Sequence, residues 1–387
     1  MRKKVAVGID IGTYQIKVVV AELVKEKNKL VPRIIGRGLS ESKGLRHGYI
    51  VNRPDVSKSL EKAVKQAERS SGVRIKKAYL SIGGASLEGT NSIGQSFATK
   101  GDSEITDLDV QKAINSAENN AQLPNRKIIH TIPIQYKIDG QKVLGRPQGI
   151  KGKKLEIEVL FITYLKQHLD DLIRAVEDAG VEIEDIVAAP IAASIVTLTK
   201  SQKIAGCVLA NMGSETVSII VYENNIPISL EIFPVGSTNI TNDIALGFKV
   251  SLEEAEKIKI GTIANTYPKK KLEEIMVNRL AGIFDLIQAH LKKIKRNGLL
   301  PAGIILTGGG SGITTIEDLA RAYLKLPSKI APINFISNVN SKIKDSTWTV
   351  AYGLCVFGLN DEEESKTFRS VKNLKDKIFN WLKFFSV

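Results

Sequence analysis

The chain has 387 residues, 43% of them hydrophobic and 25% charged, an ordinary globular composition long enough for about two to four compact units. No run approaches the ~18 consecutive apolar residues of a membrane span, and Cys207, Cys355 and the four histidines show no spacing that favours a disulfide scaffold or a structural metal site. Fifty-five basic against 41 acidic side chains leave a net charge of +14, which favours an anionic partner: nucleic acid, a phospholipid surface or an acidic peptide.

Met1–Lys4 followed by Val5–Val7 has the start of a secretion signal, but Asp10 and Lys17 interrupt it. A cytoplasmic location is therefore expected. Lys4–Val20 reads as two strands joined by a Gly12-Thr13-Tyr14-Gln15 turn, with a third strand around Arg33–Gly38. Over Asp55–Ser71, Val56, Leu60, Ala63, Val64 and Ala67 recur three and four apart, which predicts an amphipathic helix ended by Gly72. Lys76–Ile82 is a strand running into Gly83-Gly84.

From about Ala85 to Lys153 the chain turns polar and rich in glycine and asparagine. It holds a helix over Asp107–Ala121, capped by Thr106 with Asp109 three residues on. Lys127–Ile132 and Gln135–Ile138 read as two short strands separated by Pro133, and the whole stretch as an inserted subdomain. Leu155–Thr163 resumes a strand, and His168–Ala179 a helix closed by Gly180.

Gly206–Ile220 repeats the opening pattern of strand, Gly-bearing turn and strand about 200 residues later, so two related halves are expected. Helices follow over Ile240–Ala245, Ser251–Lys259 and Leu272–Lys295, then a strand at Ile304–Thr307 ending in Gly308-Gly309-Gly310-Ser311. Trp348–Gly358 is an apolar helix and Asp361–Glu364 a charged break. The basic clusters Lys269–Lys271 and Lys292–Arg296 lack interleaved aromatics, so a solvated face is the simplest reading of each.

Three glycine-bearing turns follow strands, near residues 10, 212 and 308. Glycine lets main-chain N–H groups approach a phosphate closely. Asp10 ends the first strand, where a carboxylate can orient the water shell of Mg²⁺. Thr13 and the amides beside it can hold phosphate oxygens, with Lys17 supplying positive charge.

These motifs resemble the actin–Hsp70–sugar kinase superfamily, and within it the FtsA family of bacterial cell-division proteins over nearly the whole chain. Asp10–Lys17 is similar to the first phosphate motif of that family, and Ile304–Ser311 with Ile316–Leu319 to its adenosine motif. Gly236–Gly247 with Glu254–Lys259 resembles the segment carrying a purine-side Glu and Lys. Trp348–Leu354 resembles the helix that returns to the first half. The Ala85–Lys153 insert, with its Ile129–Pro133 and Tyr136–Gly140, fits the subdomain that distinguishes the family from actin.

The resemblance implies an α/β, actin-like two-lobed fold of duplicated ribonuclease H-like halves. The first half would span 1–84, completed by 154–202 and 340–360, around an insert at 85–153. The second would span 203–239, completed by 298–339, with a helical subdomain at 240–297. A linker at 361–372 and an amphipathic helix at 373–387 would follow. It implies an ATP and Mg²⁺ site formed by Asp10, Gly12, Thr13, Tyr14 and Lys17, by Asn211, Gly213, Ser214, Glu215 and Thr216, by Glu256 and Lys259, and by Gly308, Gly309, Gly310 and Ser311. Asp10 would reach the metal through water.

One motif departs. The family has Asp, three glycines, Thr and a second Asp at the second phosphate loop, where this chain has Asn211, Gly213-Ser214-Glu215, Thr216 and Ser218. Both carboxylates are missing from their positions and Glu215 brings a new one, so weak or absent hydrolysis is expected.

In the tail, Leu374, Ile378, Trp381, Leu382 and Phe385 fall on one helical face, with Phe379 and Phe384 adding aromatic area and lysines at the borders. Such a helix suits the plane of an anionic membrane surface. The expected function is a cell-division protein that binds ATP, self-associates into filaments and ties the FtsZ ring to the cytoplasmic membrane at the septum. The C-terminal peptide of FtsZ would dock near Lys292 and Lys293, the insert would meet other division proteins, and no nucleic acid is involved. A type IV pilus scaffold similar to PilM, which needs no lipid-binding helix, is the nearest rival. A small-molecule kinase of the same superfamily is a second.

Overall fold

The computed structural model describes residues 4–365 apart from 27–28, 100, 102, 264–266, 314 and 333–345, with the backbone alone for 361–365. The expected membrane-binding residues, Leu374 to Phe385, lie outside the described residues.

The first sheet opens with an antiparallel hairpin, β1 (Val5–Ile11) and β2 (Gln15–Glu26), extended by β3 (Lys29–Glu41). A small hairpin of β4 (Leu45–Arg46) and β5 (Tyr49–Ile50) leads into α1 (Arg53–Ser71). The Asn52 side chain caps α1 by accepting from the Asp55 N–H, and Gly72, at φ +69°, ends it in the left-handed conformation. Strand β6 (Lys77–Ile82) then returns parallel to β1.

The insert follows as β7 (Leu87–Phe97), α2 (Asp107–Ala121), β8 (Arg126–Ile138), β9 (Gln141–Val143) and β10 (Lys154–Leu165). Its sheet runs β7-β10-β8-β9, and α2 covers one face over Val110, Ala113, Ile114 and Ala117. Thr106 and Asp109 form the expected capping box of α2. Two expectations need correction. Pro133 does not divide β8: the strand is continuous, with Pro133 opposite Val159 and Gln135 opposite Glu158, so Ile134 is accommodated as a bulge. Strand β10 does not resume the first half but pairs along its length with β7 and β8, so the insert's sheet extends beyond Lys153.

The chain re-enters the first half with α3 (Lys166–Asp178) and β11 (Glu182–Ala188), which pairs parallel to β6 and completes the order β11-β6-β1-β2-β3. Helices α4 (Ala189–Thr197) and α5 (Lys200–Ala205) lead to the second half. There β12 (Cys207–Met212), β13 (Val217–Glu223) and β14 (Ile226–Phe233) form an antiparallel meander. Helices α6 (Ser237–Phe248), α7 (Leu252–Lys259) and α8 (Lys269–Lys293) come next. Strand β15 (Ile304–Thr307), helix α9 (Ile316–Leu324) and strand β16 (Ser328–Ile330) close this half.

The second sheet has the order β14-β13-β12-β15-β16, with β15 parallel to β12 and β16 parallel to β15. It repeats the first sheet strand for strand and direction for direction, so the duplication is real at the level of topology. Side chains alternate as a two-residue period requires. Val208, Ala210 and Met212 face the core under α6, α8 and α9, while Cys207 and Leu209 face the core shared with the first half.

Helix α10 (Thr349–Ser365) crosses back to pack on β1 and α4. Gly8 makes this possible, since a Cβ there would fall 2.1 Å from the Ala351 carbonyl oxygen. The break expected at Asp361–Glu364 is absent, and the helix continues to Ser365. Glutamate is a good helix former and neither glycine nor proline interrupts the run. Both cysteines are free and buried, and no helix among the described residues is long and apolar enough to cross a membrane.

Candidate functional site

A cleft of about 1080 Å³ lies between the two halves, lined by the glycine turns of both. In the β1–β2 turn the Gly12 N–H donates to the Gln15 carbonyl (3.2 Å), and a Cβ on Gly12 would lie 2.9 Å from that oxygen. Asp10 sits opposite Lys17 in the hairpin register. The Ser81 hydroxyl on β6 donates to Asp10 Oδ1 at 2.8 Å. Burial pushes the Asp10 carboxyl above its ordinary range, against the opposing pulls of the Lys17 charge and the Ser81 hydrogen bond.

The β12–β13 turn is built the same way. The Gly213 N–H donates to the Thr216 carbonyl at 2.9 Å, and Asn211 faces Ser218 at the register where Asp10 faces Lys17. Position for position, Glu215 therefore stands where Tyr14 stands in the first turn. The start of α6 covers this loop, with N–H groups of Ser237 and Thr238 donating to the carbonyls of Gly213 (3.0 Å) and Ser214 (2.8 Å).

Glu215 reaches out of its own half. Its carboxylate accepts the backbone N–H of His47 in the β4–β5 turn, and its carbonyl oxygen lies 3.4 Å from His47 Nδ1. His47 and the neighbouring Gly48, Gly83 and Gly84 were not singled out as site residues from the sequence. The His47-Gly48 pair at the centre of a two-residue hairpin was the available signal, because such a turn demands positive φ.

The third glycine turn joins β15 to a single 3-10 turn over Gly309–Gly312. Gly308 has φ +87°, and a Cβ there would stand 2.3 Å from Asn211 Oδ1 and 2.6 Å from the Met212 carbonyl oxygen. Of the expected nucleotide residues, Ser311 is the one that does not line the cleft. It is buried behind the turn, where its hydroxyl donates to the Gly308 carbonyl (2.7 Å) and meets the Ser346 hydroxyl (3.2 Å). It shapes the loop.

On the remaining wall, Lys259 Nζ bridges Glu256 (2.7 Å) and Thr241 Oγ1 (2.9 Å), and that hydroxyl donates to Glu256 Oε2 (2.7 Å). A charged pair locked through a shared hydroxyl gives this wall a fixed polar face, suited to hydroxyl groups of a ligand. Among the described residues no cluster of three or more His, Cys, Asp and Glu groups could hold a metal. The donor set fits Mg²⁺ held mostly by waters and ligand phosphates, with Asp10 contributing at one point.

The basic clusters lie elsewhere. Lys269 and Lys293 are at opposite ends of α8, about 36 Å apart at the rise of an α-helix, so the two clusters form separate surfaces. Lys271 donates to the Gly247 carbonyl at 2.7 Å. Lys292 donates to Gln288 (2.8 Å), and Arg296 is committed to a bidentate pair with Glu223. Lys293 lines a smaller groove of about 310 Å³ together with Lys142 and Glu158 of the insert.

The family model for cell division protein FtsA matches residues 208–353, and that for the SHS2 domain inserted in FtsA matches 84–163. The second match takes in β10 as far as Thr163, in agreement with the strand pairing. A cell division protein FtsA from Borreliella burgdorferi is 30% identical over 98% of this chain and 95% of its own length. Among solved structures, that of a PilM–PilN type IV pilus biogenesis complex superposes with a TM-score of 0.71 at 14% identity, covering 92% of this chain and 98% of the other. MreB5 of Spiroplasma citri bound to ADP gives 0.56 at 13% identity, covering 94% and 99%. At those identities the structures speak for the actin-like fold alone.

Proposed function

This chain belongs to the FtsA family of cell division proteins, and from that premise we propose that it binds a purine nucleotide with Mg²⁺ between its halves and links FtsZ to the cytoplasmic membrane at the septum. The observation that carries the nucleotide reading is the pair of matching hairpin turns, Gly12–Gln15 and Gly213–Thr216, lining one cleft with the half-buried Asp10 carboxylate beside them. Phosphates would lie between the turns, held by main-chain N–H groups, with Lys17 offsetting their charge. Bound Mg²⁺ would neutralise phosphate charge. Asp10 would orient its water shell, while Glu256 and Lys259 would face the sugar and base. With Asn211 and Ser218 in place of carboxylates, hydrolysis is slow or absent.

The tether reading rests on the apolar and aromatic residues Leu374, Ile378, Phe379, Trp381, Leu382, Phe384 and Phe385 with bordering lysines. Family membership supports self-association into filaments and contact of the insert with other division proteins. An acidic FtsZ C-terminal peptide would dock at the Lys292–Lys293 end of α8, where Lys142 and Lys295 line a groove beside Lys293. A pilus scaffold of the same fold remains the alternative, but the PilM likeness is one of architecture, whereas 30% identity to a cell-division relative runs along the sequence.

Co-sedimentation of FtsZ with anionic vesicles tests the tether. The full chain carries FtsZ into the pellet and a version ending at Asn360 does not. If the full chain leaves FtsZ and itself in the supernatant, the tether reading fails.

A further inference from the structure

The pair that the first half does not repeat is Glu215 with His47. Tyr14, the counterpart of Glu215, is 59% exposed, whereas the Glu215 side chain is 19% exposed and engaged across the cleft. His47 sits in a two-residue turn with φ +49°, followed by Gly48 at +83°. The turn is held from behind. The Ala85 N–H donates to the His47 carbonyl at 3.0 Å, and Gly48 and Gly84 pack so closely that a Cβ on either would fall 2.6 Å from the other's Cα. The His47 N–H is thus a fixed donor in a glycine-flanked turn, beside cleft-lining Gly48, Gly83 and Gly84. Phosphate oxygens commonly take donors of this kind. Here a carboxylate takes it.

We propose that the Glu215 carboxylate fills, from within the protein, a place that a terminal phosphate would take, so that the cleft prefers a nucleoside diphosphate to a triphosphate. The inference rests on the nucleotide reading of the cleft. A triphosphate must displace the carboxylate from His47 or lie beside it, and repulsion between two negative groups a few ångströms apart opposes the second course while the lost His47 hydrogen bond opposes the first. A diphosphate ends one group earlier and leaves the pair intact. The departure of the second loop from its family pattern is then a specificity element.

The test is calorimetric titration of the full chain, in Mg²⁺, with ADP and with a non-hydrolysable ATP analogue. The wild type binds ADP at least tenfold more tightly, and Glu215→Gln, which keeps the shape and removes the charge, brings the ratio below threefold. Glu215→Ala gives the same direction if the glutamine perturbs the loop. A wild type that binds both nucleotides alike, or a ratio unchanged in both variants, overturns the proposal and leaves the nucleotide reading standing. If neither nucleotide binds the wild type or the variants, the nucleotide reading fails and the proposal with it.

Discussion

Asp10 and Lys17 face each other across the β1–β2 ladder, and the second half sets Asn211 and Ser218 at the equivalent pair of positions. One ladder carries a carboxylate and an ammonium and its duplicate carries neither, so this charged pair is not duplicated in the second half. Burial already disfavours the ionised form of Asp10, and a cation held near it offsets that cost.

Asp10→Asn therefore trades function against stability. Because its pKa is raised in the fold, ionised Asp10 is a destabilising element at neutral pH, increasingly so as pH climbs from its unfolded toward its folded pKa. The amide keeps an acceptor for Ser81 and removes the charge. The variant should melt a few degrees higher without nucleotide and should lose Mg²⁺-dependent nucleotide affinity by tenfold or more. Differential scanning calorimetry and a binding titration, with and without EDTA, check both halves of this expectation.

His130 makes the junction between the insert and the first half sensitive to acid. Its Nε2 accepts the Ala188 N–H at 3.0 Å, and burial pushes its pKa down to about 3. The folded form binds fewer protons there, so its stability is full above the unfolded pKa near 6.5 and is lost as pH falls toward 3. Between pH 7.5 and pH 5 this one group should cost about 2 kcal/mol. His130→Leu should lower stability at pH 7.5 by about 1–3 kcal/mol, through the unpaired Ala188 N–H, and flatten the pH dependence. Urea midpoints at the two pH values read this out.

Gly308→Ala should cost about 2–4 kcal/mol, since it combines left-handed backbone with a collision against Asn211 and Met212. Gly72→Ala is the control: φ is also positive, but nothing lies within 4 Å of its Cβ, so about 1 kcal/mol is expected. Equal losses in urea unfolding would mean that close approach contributes nothing.

Charge reversal of Lys292 and Lys293 together should weaken an acidic FtsZ C-terminal peptide at least threefold, mainly through association rate and more at low salt. Fluorescence anisotropy at two ionic strengths measures it. Unchanged affinity places the dock elsewhere.

Much of this architecture is legible in local sequence because local physics decides it. The Thr106–Asp109 box and Gly72 mark helix ends by capping chemistry, and the repeated strand–glycine turn–strand pattern discloses the duplication. What stayed hidden depends on partners far along the chain. Strand β10 is apolar whichever sheet receives it, so only pairing with β7 and β8 reveals that it belongs to the insert. Pro133 reads as a break until a bulge absorbs it. Ser311 lies in a stretch that resembles a binding motif, yet Gly308 and Ser346 draw its hydroxyl inward. The Glu215–His47 contact spans 168 positions, and nothing in either neighbourhood announces it.

The central claim is that the two matching hairpin turns hold one nucleotide between them. A crystal structure of the full chain grown with ADP and Mg²⁺ tests it most directly. Phosphates are expected between Gly12–Gln15 and Gly213–Thr216, with a metal water on Asp10 and Glu215 still accepting from His47. An empty cleft at saturating nucleotide, or phosphates bound away from both turns, would contradict it.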